Sequence, residues 1–310
     1  MSDKMKILTL SSLVLLLAPL IFLGGQPVEI GTVSWSRDYD SSLKEAKKQN
    51  KPLFVLFQEV PGCKACKDYG KTVLSHPLLV EAIEDEFIPV LVHNNKSGID
   101  ETLLKKFNEI AWNYQVVRFI DSKEQDIIPR EEKVWSREET AQRMAMALTE
   151  YGKTVPNYLS FVKQEFNDAD LEEALFSMFC FWTGEVKLGG IDGVVKTEVG
   201  FYQGREVVKV WYDKQHITLN GLVTESAKIK CANRVYTNVT GKYALPRENY
   251  KASEYTKAPP SDQKKQINGT QFKRLNLSDF QKTKINAFVR TNLEKAKTYL
   301  SPRQSRNLLN

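Results

Sequence analysis

The sequence predicts an α/β protein built from two folded units: an α/β layer first, then an α+β unit that runs into a basic helical tail. Three observations predict it. Short apolar runs of strand type alternate with helical spacing between residues 53 and 151, and the pattern restarts after residue 170. The last sixty residues then hold 13 Lys and Arg against 4 Asp and Glu. A length of 310 residues with 42% hydrophobic content excludes a disordered chain and leaves room for about two cores. The expected boundaries are 1–25 for a signal peptide or membrane anchor, 34–152 for the first domain, 171–250 for the second and 251–310 for the tail.

Lys4 and Lys6 precede an almost uninterrupted apolar run at residues 7–23, closed by Gly24 and Gly25. This pattern predicts export to a periplasmic or other extracytoplasmic location, with cleavage and anchoring both open because Pro19 interrupts the run and no A-x-A site follows. Residues 53–57 and 87–92 read as buried strands with a helical segment between them. Residues 100–114 have helical spacing, 116–120 read as a third strand, and Ser136 with Glu139 forms a capping box for a helix to about residue 151. Residues 152–170, with Pro156 and Asn167, read as a boundary. Beyond it come a strand-like approach to Cys180, a short helix, and strands at 197–201 and 207–212. After Tyr236 the chain turns polar, until Ser278 and Gln281 cap a last helix carrying Phe280, Ile285, Phe288 and Val289. The tail reads either as a solvated helix surface or as a patch for anionic lipid or acidic partners. No nucleic-acid partner, metal or cofactor is expected.

Four cysteines are too few to staple a chain of this size, and their placement suggests chemistry: a pair at Cys63 and Cys66, then Cys180 and Cys231 alone. A Cys-x-x-Cys between a strand and a helix puts the first sulfur at a helix N-terminus, where unpaired amides favour a thiolate. Lys64 and Lys67 add positive potential. Cys63 is then the nucleophile, and Cys66, one turn on, resolves the mixed disulfide. A static disulfide or a zinc site remain as alternatives, the latter short of ligands.

Around the pair the sequence resembles the thioredoxin superfamily over about residues 34–151. The residues that carry this are Trp35, the stretch 43–48, Lys51-Pro52, the Cys63–Cys66 pair and Ser75-His76-Pro77. Pro61-Gly62 stand before Cys63 where the family has a Trp, and no proline stands at Gln115, before Val116. The resemblance implies a thioredoxin-like fold and thiol-disulfide exchange.

Cys180 followed by Phe181 and Trp182 reads by periodicity as core. The wider pattern, Cys180-Phe181-Trp182, then Gly193-Val194-Val195-x-Thr197-x-Val199-Gly200-Phe201, then Glu206-Val207-Val208-x-Val210-x-Tyr212-Asp213, resembles A-type peptide methionine sulfoxide reductases over about residues 171–222. That resemblance implies a peptide-methionine (S)-S-oxide reductase. Cys180 would attack the sulfoxide sulfur, Glu206 would protonate the departing oxygen, and Phe181, Trp182, Phe201 and Tyr202 would hold the substrate. The family's tyrosine after the Val-Gly pair is Phe201 here, with Tyr202 next to it, and Asn233-Arg234-Val235-Tyr236 is at best a remnant of a later family block.

Cys231 is expected to resolve oxidised Cys180, its pKa lowered by Lys228, Lys230 and Arg234; an inert buried thiol is the alternative. The implied partners are exported proteins or peptides containing methionine sulfoxide, an upstream thiol reductant and a membrane surface. The chain would reduce methionine S-sulfoxide at Cys180 and be recharged by Cys63 and Cys66. The alternative is an exported thiol-disulfide oxidoreductase or redox-linked binding protein whose second domain is catalytically inactive. A metal-handling protein is a third class.

Overall fold

The computed structural model describes residues 26–165 and 171–309. The apolar run at residues 7–23 and the last part of the expected boundary lie outside them. Among the described residues no helix is long and apolar enough to cross a membrane.

Helix α1 (Tyr39–Gln49) starts where the Asp38 carboxylate accepts the Ser41 amide, and ends at Asn50 with a left-handed backbone. Strand β1 (Leu53–Gln58) is buried along its whole length and forms the centre of a three-stranded sheet. Helices α2 (Lys64–Thr72) and α3 (Pro77–Glu86) lead to β2 (Ile88–His93), which pairs in parallel with β1, Leu53 opposite Ile88. Helix α4 (Ile99–Lys106) leads to β3 (Val116–Ile120), antiparallel to β1 with Val116 opposite Phe57. Alternation along β1 makes two cores. Phe54 and Leu56 pack with α2, α3 and α5 (Arg137–Glu150), whereas Leu53, Val55 and Phe57 pack with α1 and α4. The predicted capping box of α5 is present in full, with Ser136 and Glu139 bonding reciprocally.

Two expectations change here. Residues 107–114 leave the helix: Phe107 caps it, Asn108 and Trp112 take left-handed backbone angles, and Arg118 and Arg130 hold the buried Glu109 carboxylate in place. The expected boundary is also part of the first domain, because α6 (Leu159–Gln164) packs Leu159 and Val162 into the α5 core.

The second unit begins with β4 (Glu172–Ser177), α7 (Phe181–Gly189), β5 (Val194–Tyr202) and β6 (Arg205–Tyr212). Helix α8 (Leu219–Lys228), β7 (Arg234–Tyr236), β8 (Arg247–Glu248) and β9 (Tyr255–Lys257) follow. The sheet order is β8-β7-β4-β6-β5-β9. One face, with Phe176, Val199 and Val208, buries α7 and α8, and the other holds Leu175, Tyr202, Tyr236 and Tyr250.

Residues 251–309 do not form a separate tail. β9 extends the sheet, Gly200 opposite Lys257. Helices α9 (Asp279–Phe288), α10 (Leu293–Lys297) and α11 (Pro302–Leu309) follow, and the Ser278–Gln281 capping box of α9 is present. Most of the basic residues here are exposed, but two lysines are drawn inward. Lys264 Nζ lies 2.8 Å from Glu185 Oε1, and Lys284 Nζ donates to the Gly189 and Ile191 carbonyls at the end of α7. The carboxylate of Glu185, fully buried, also accepts the Lys264 amide, the Thr197 hydroxyl and the Asn286 side chain.

The same segment joins the two domains. The Glu165 carboxylate, at the end of α6, lies 3.0 Å from His76 Nε2 and accepts the Phe280 amide. Phe161 packs on Phe280 and Tyr299, and Arg303 pairs with Glu84 and Asp85 of α3 while its amide donates to Glu81. Replacing Glu185 by Ala leaves the mostly buried Lys264 without its counter-charge and strips the Thr197 and Asn286 side chains of their acceptor, a loss of up to about 3 kcal/mol. The expected outcome is a lower urea midpoint, measured by circular dichroism, together with earlier proteolysis in residues 258–309; an unchanged midpoint would remove this network from the stability of the second domain.

Candidate functional site

The chemistry of the first domain is gathered at one end of its sheet. Cys63 caps α2, immediately after the turn that leaves β1, and the cis Val60–Pro61 bond precedes it. Its sulfur is exposed and lies 3.7 Å from that of buried Cys66. Hydrogen bonding from the Cys66 amide holds the Cys63 thiol below the ordinary thiol range, with the Cys66 side chain and the Ala65 amide adding to it. Burial pushes Cys66 the other way, up to about 12. The lowering comes from helix amides, while Lys64, expected to supply positive potential, instead pairs with Asp68 at 2.6 Å. Gly62 leaves no room for a side chain: a Cβ there would lie 2.7 Å from Cys66 Cβ, and its amide donates to the buried Glu29 carboxylate.

Sequence reasoning missed two features of this end. The Glu59 carboxylate comes within 4.8 Å of both sulfurs, giving the pair three atoms able to ligate a metal. The loop before β3 lies beside it, tied by the Trp112 amide to the Asn94 carbonyl, while the Asn94 amide bonds the Gln58 carbonyl. Ile110, Trp112 (69% exposed) and Tyr114 stand out from that loop, and Gln115 is buried. Exposed apolar side chains at a left-handed turn carry no periodic signal.

In the second domain Cys180 caps α7. The Phe181 amide, the first of the helix, donates to Glu206 Oε2 at 2.7 Å. The structure thus places the expected acid beside the expected nucleophile, since β6 begins where β4 ends, Val207 opposite Ser177. Phe181 lies against Trp182 and Phe201, with ring centroids 5.9 and 5.5 Å apart, and Lys265 sits over the Trp182 ring. Phe179, 97% exposed, lines a pocket with Cys180.

Cys231 lines the same pocket of about 350 Å³ as Cys180, with Met178, Thr183, Lys230 and Asn233. Asn233, dismissed in sequence as part of a remnant, accepts the Ser177 hydroxyl there.

Two site expectations are corrected. Tyr202 alternates to the opposite face of the sheet from Phe201; it is 1% exposed, its hydroxyl donates to the Asn249 carbonyl and accepts the Lys251 amide, so it does not reach Cys180. Cys231, expected as an activated resolving thiol, lies just before β7 and is buried with its thiol directed at the Ser226 carbonyl. Burial raises its pKa to about 11, with only Lys187 lowering it through charge, instead of the three cations expected to lower it.

The profile of a family described as thioredoxin-like matches residues 34–119. That stretch is a thioredoxin-like domain. The peptide methionine sulfoxide reductase MsrA of Methanococcus maripaludis strain C7 is 38% identical to this chain over 72 residues, covering 18% of this chain and 46% of that protein. The chain therefore spans under half the length of the curated relative it matches. Among solved structures, a DsbH oxidoreductase aligns at 15% identity with a TM-score of 0.33, over 41% of this chain and 92% of that one.

The two thiols of the first domain should separate by reactivity. With a short pulse of iodoacetamide at neutral pH on reduced protein, peptide mapping is expected to find Cys63 modified and Cys66 protected. Because the Cys63 pKa is depressed, its reaction should persist as the pH falls below the ordinary thiol range, and Cys66 should react only as the pH approaches about 12. Equal labelling of both would refute the assignment of nucleophile and resolver.

Proposed function

We propose that this protein reduces methionine S-sulfoxide in proteins or peptides at Cys180 and that the Cys63–Cys66 dithiol restores it. The observation that carries the reading is the Glu206 carboxylate bonded to the amide of the residue after Cys180, beside the Phe181, Trp182 and Phe201 rings. The partial similarity to MsrA supports the same chemistry.

In this reading the Cys180 thiolate attacks the sulfoxide sulfur, Glu206 delivers a proton to the oxygen, and the products are methionine and a sulfenic acid on Cys180. Cys231, on the same pocket, condenses with the sulfenic acid, releasing water and forming a disulfide. Cys63 then attacks that disulfide, and Cys66 frees it by closing the Cys63–Cys66 bond. The aromatic rings bind the substrate methyl group and side chain through apolar contact. The apolar run at residues 7–23 supports an extracytoplasmic setting, where oxidised methionine accumulates beyond the reach of cytosolic reductants. Tyr202, whose hydroxyl is committed elsewhere, favours a second reading in which the domain binds sulfoxide-containing segments without turning them over.

Assay with dithiothreitol on separated epimers decides between these. Turnover of the S epimer alone is expected, abolished in Cys180→Ser and slowed roughly 10²–10⁴-fold in Glu206→Gln. Absence of turnover with retained binding would establish the second reading. Cys63→Ser/Cys66→Ser should keep the dithiothreitol-driven reaction and lose the one driven by a protein reductant.

The raised pKa of Cys231 gives a further expectation. Once Cys180 is oxidised at low pH and the sample is jumped upward, disulfide closure should accelerate roughly tenfold per pH unit until about 11, as the thiolate fraction of Cys231 rises. Closure independent of pH, followed by thiol counting, would take Cys231 out of the step.

A further inference from the structure

Each redox centre lies at the opposite end of a helix from the contact that joins the domains. Cys63 caps the N-terminus of α2, nine residues long, and beyond the other end of that helix His76 meets Glu165 and, through it, α9. Cys180 likewise caps the N-terminus of α7, also nine residues, whose far end packs Gly189 against Thr283 of α9. Each sulfur is therefore set back from the junction by a helix of about 13 Å. Among the described residues, the pocket of Cys180 is lined wholly by the second domain, and the groups acting on Cys63 all belong to the first. Exchange requires the attacking sulfur to reach bonding contact with the disulfide, with Cα atoms within about 7 Å. Swinging the domains together would break the Glu165–Phe280 hydrogen bond, the packing of Phe161 on Phe280 and Tyr299, and the Arg303 pairs.

We infer that the dithiol of one copy recharges Cys180 of a second copy, docking through exposed apolar residues that flank each thiol. On the donor these are Ile110, Trp112 and Tyr114, at the same sheet end as Cys63; on the acceptor they are Phe179, Trp182 and Phe201. Glu59 stands beside Cys63, where Lys64 pairs with Asp68 and Lys67 is exposed, and Lys230 stands on the Cys180 pocket, so that a Glu59–Lys230 attraction is available across the contact. Both surfaces are exposed apolar patches with charged groups at their edge, the composition of a transient protein contact.

The inference rests on the relay proposed above. In the step, the Cys63 thiolate of the donor attacks the Cys180–Cys231 disulfide of the acceptor, and the displaced thiolate takes up a proton. Cys66, having given up its proton, attacks the Cys63 sulfur and expels the second acceptor thiolate. Two electrons pass from one dithiol to the other disulfide, and the donor leaves as the oxidised form.

Cys66→Ser stalls this step at the mixed disulfide. Reduced Cys66→Ser protein, freed of reductant and given excess methionine sulfoxide, is expected to form covalent dimers and longer chains on non-reducing electrophoresis. Peptide mapping should show Cys63 joined to Cys180 or Cys231. Trp112→Ser in the same background should slow linking about tenfold, as for loss of a central contact residue. The same link at monomer mass would overturn the inference, as would no link at all, and methionine formed in the same sample reports separately on the chemistry at Cys180.

A second measurement does not depend on that variant. Reduced Cys180→Ser protein is mixed with Cys63→Ser/Cys66→Ser protein carrying the Cys180–Cys231 disulfide. Reduction of that disulfide at a rate proportional to donor concentration is expected; no transfer between the two would overturn the inference.

Discussion

The Glu185 carboxylate sits at the centre of the second domain, and the position of Cys180 follows from it. It is shut off from solvent, yet every partner it holds comes from a different part of the chain: Thr197 in β5, Lys264 in the connection after β9, and Asn286 in α9. A buried charge of this kind is tolerated only when fully satisfied, so these elements have one mutual arrangement. The helix that carries Glu185 is the helix that Cys180 caps. Fixing α7 against β5 and α9 sets where its first amide points, and Glu206 meets that amide.

Much of the fold was legible because the relevant signals are local. The strands around residues 53, 88 and 116 are apolar runs of strand length, and both capping boxes are four-residue patterns that the backbone then satisfies. The Cys63–Cys66 spacing, read with the strand before it, placed the nucleophile at a helix start. Cys180 and Glu206, far apart in sequence, were visible only through resemblance to a family pattern.

What escaped was set by tertiary context. Lysines at 264 and 284 read as tail charges, because nothing nearby reveals that a carboxylate eighty residues earlier and the carbonyl end of α7 wait for them. The Cys231 neighbours look activating in sequence, yet Lys228 and Arg234 are paired with Glu225 and Glu248, and burial outweighs the one charge acting on the thiol, that of Lys187. Tyr202 was misplaced by a single step of strand alternation, which sends its ring to the other face of the sheet. The helix expected to reach residue 114 stops eight residues early because Arg118 and Arg130 draw Glu109 into a loop.

The clamp between Arg303 and α3 has a consequence for the order in which the molecule is made. Ser301 and Glu81 are 220 residues apart in the chain and meet as hydrogen-bond partners. During synthesis from the N-terminus, the thioredoxin-like domain emerges and can collapse on its own local contacts long before its clamp exists. Glu81, Glu84 and Asp85 then form an uncovered acidic edge on a domain whose dithiol is already assembled. A nascent chain thus passes through a stage in which its first domain is a free-standing thiol reagent, and docking of the C-terminal helices ends that stage.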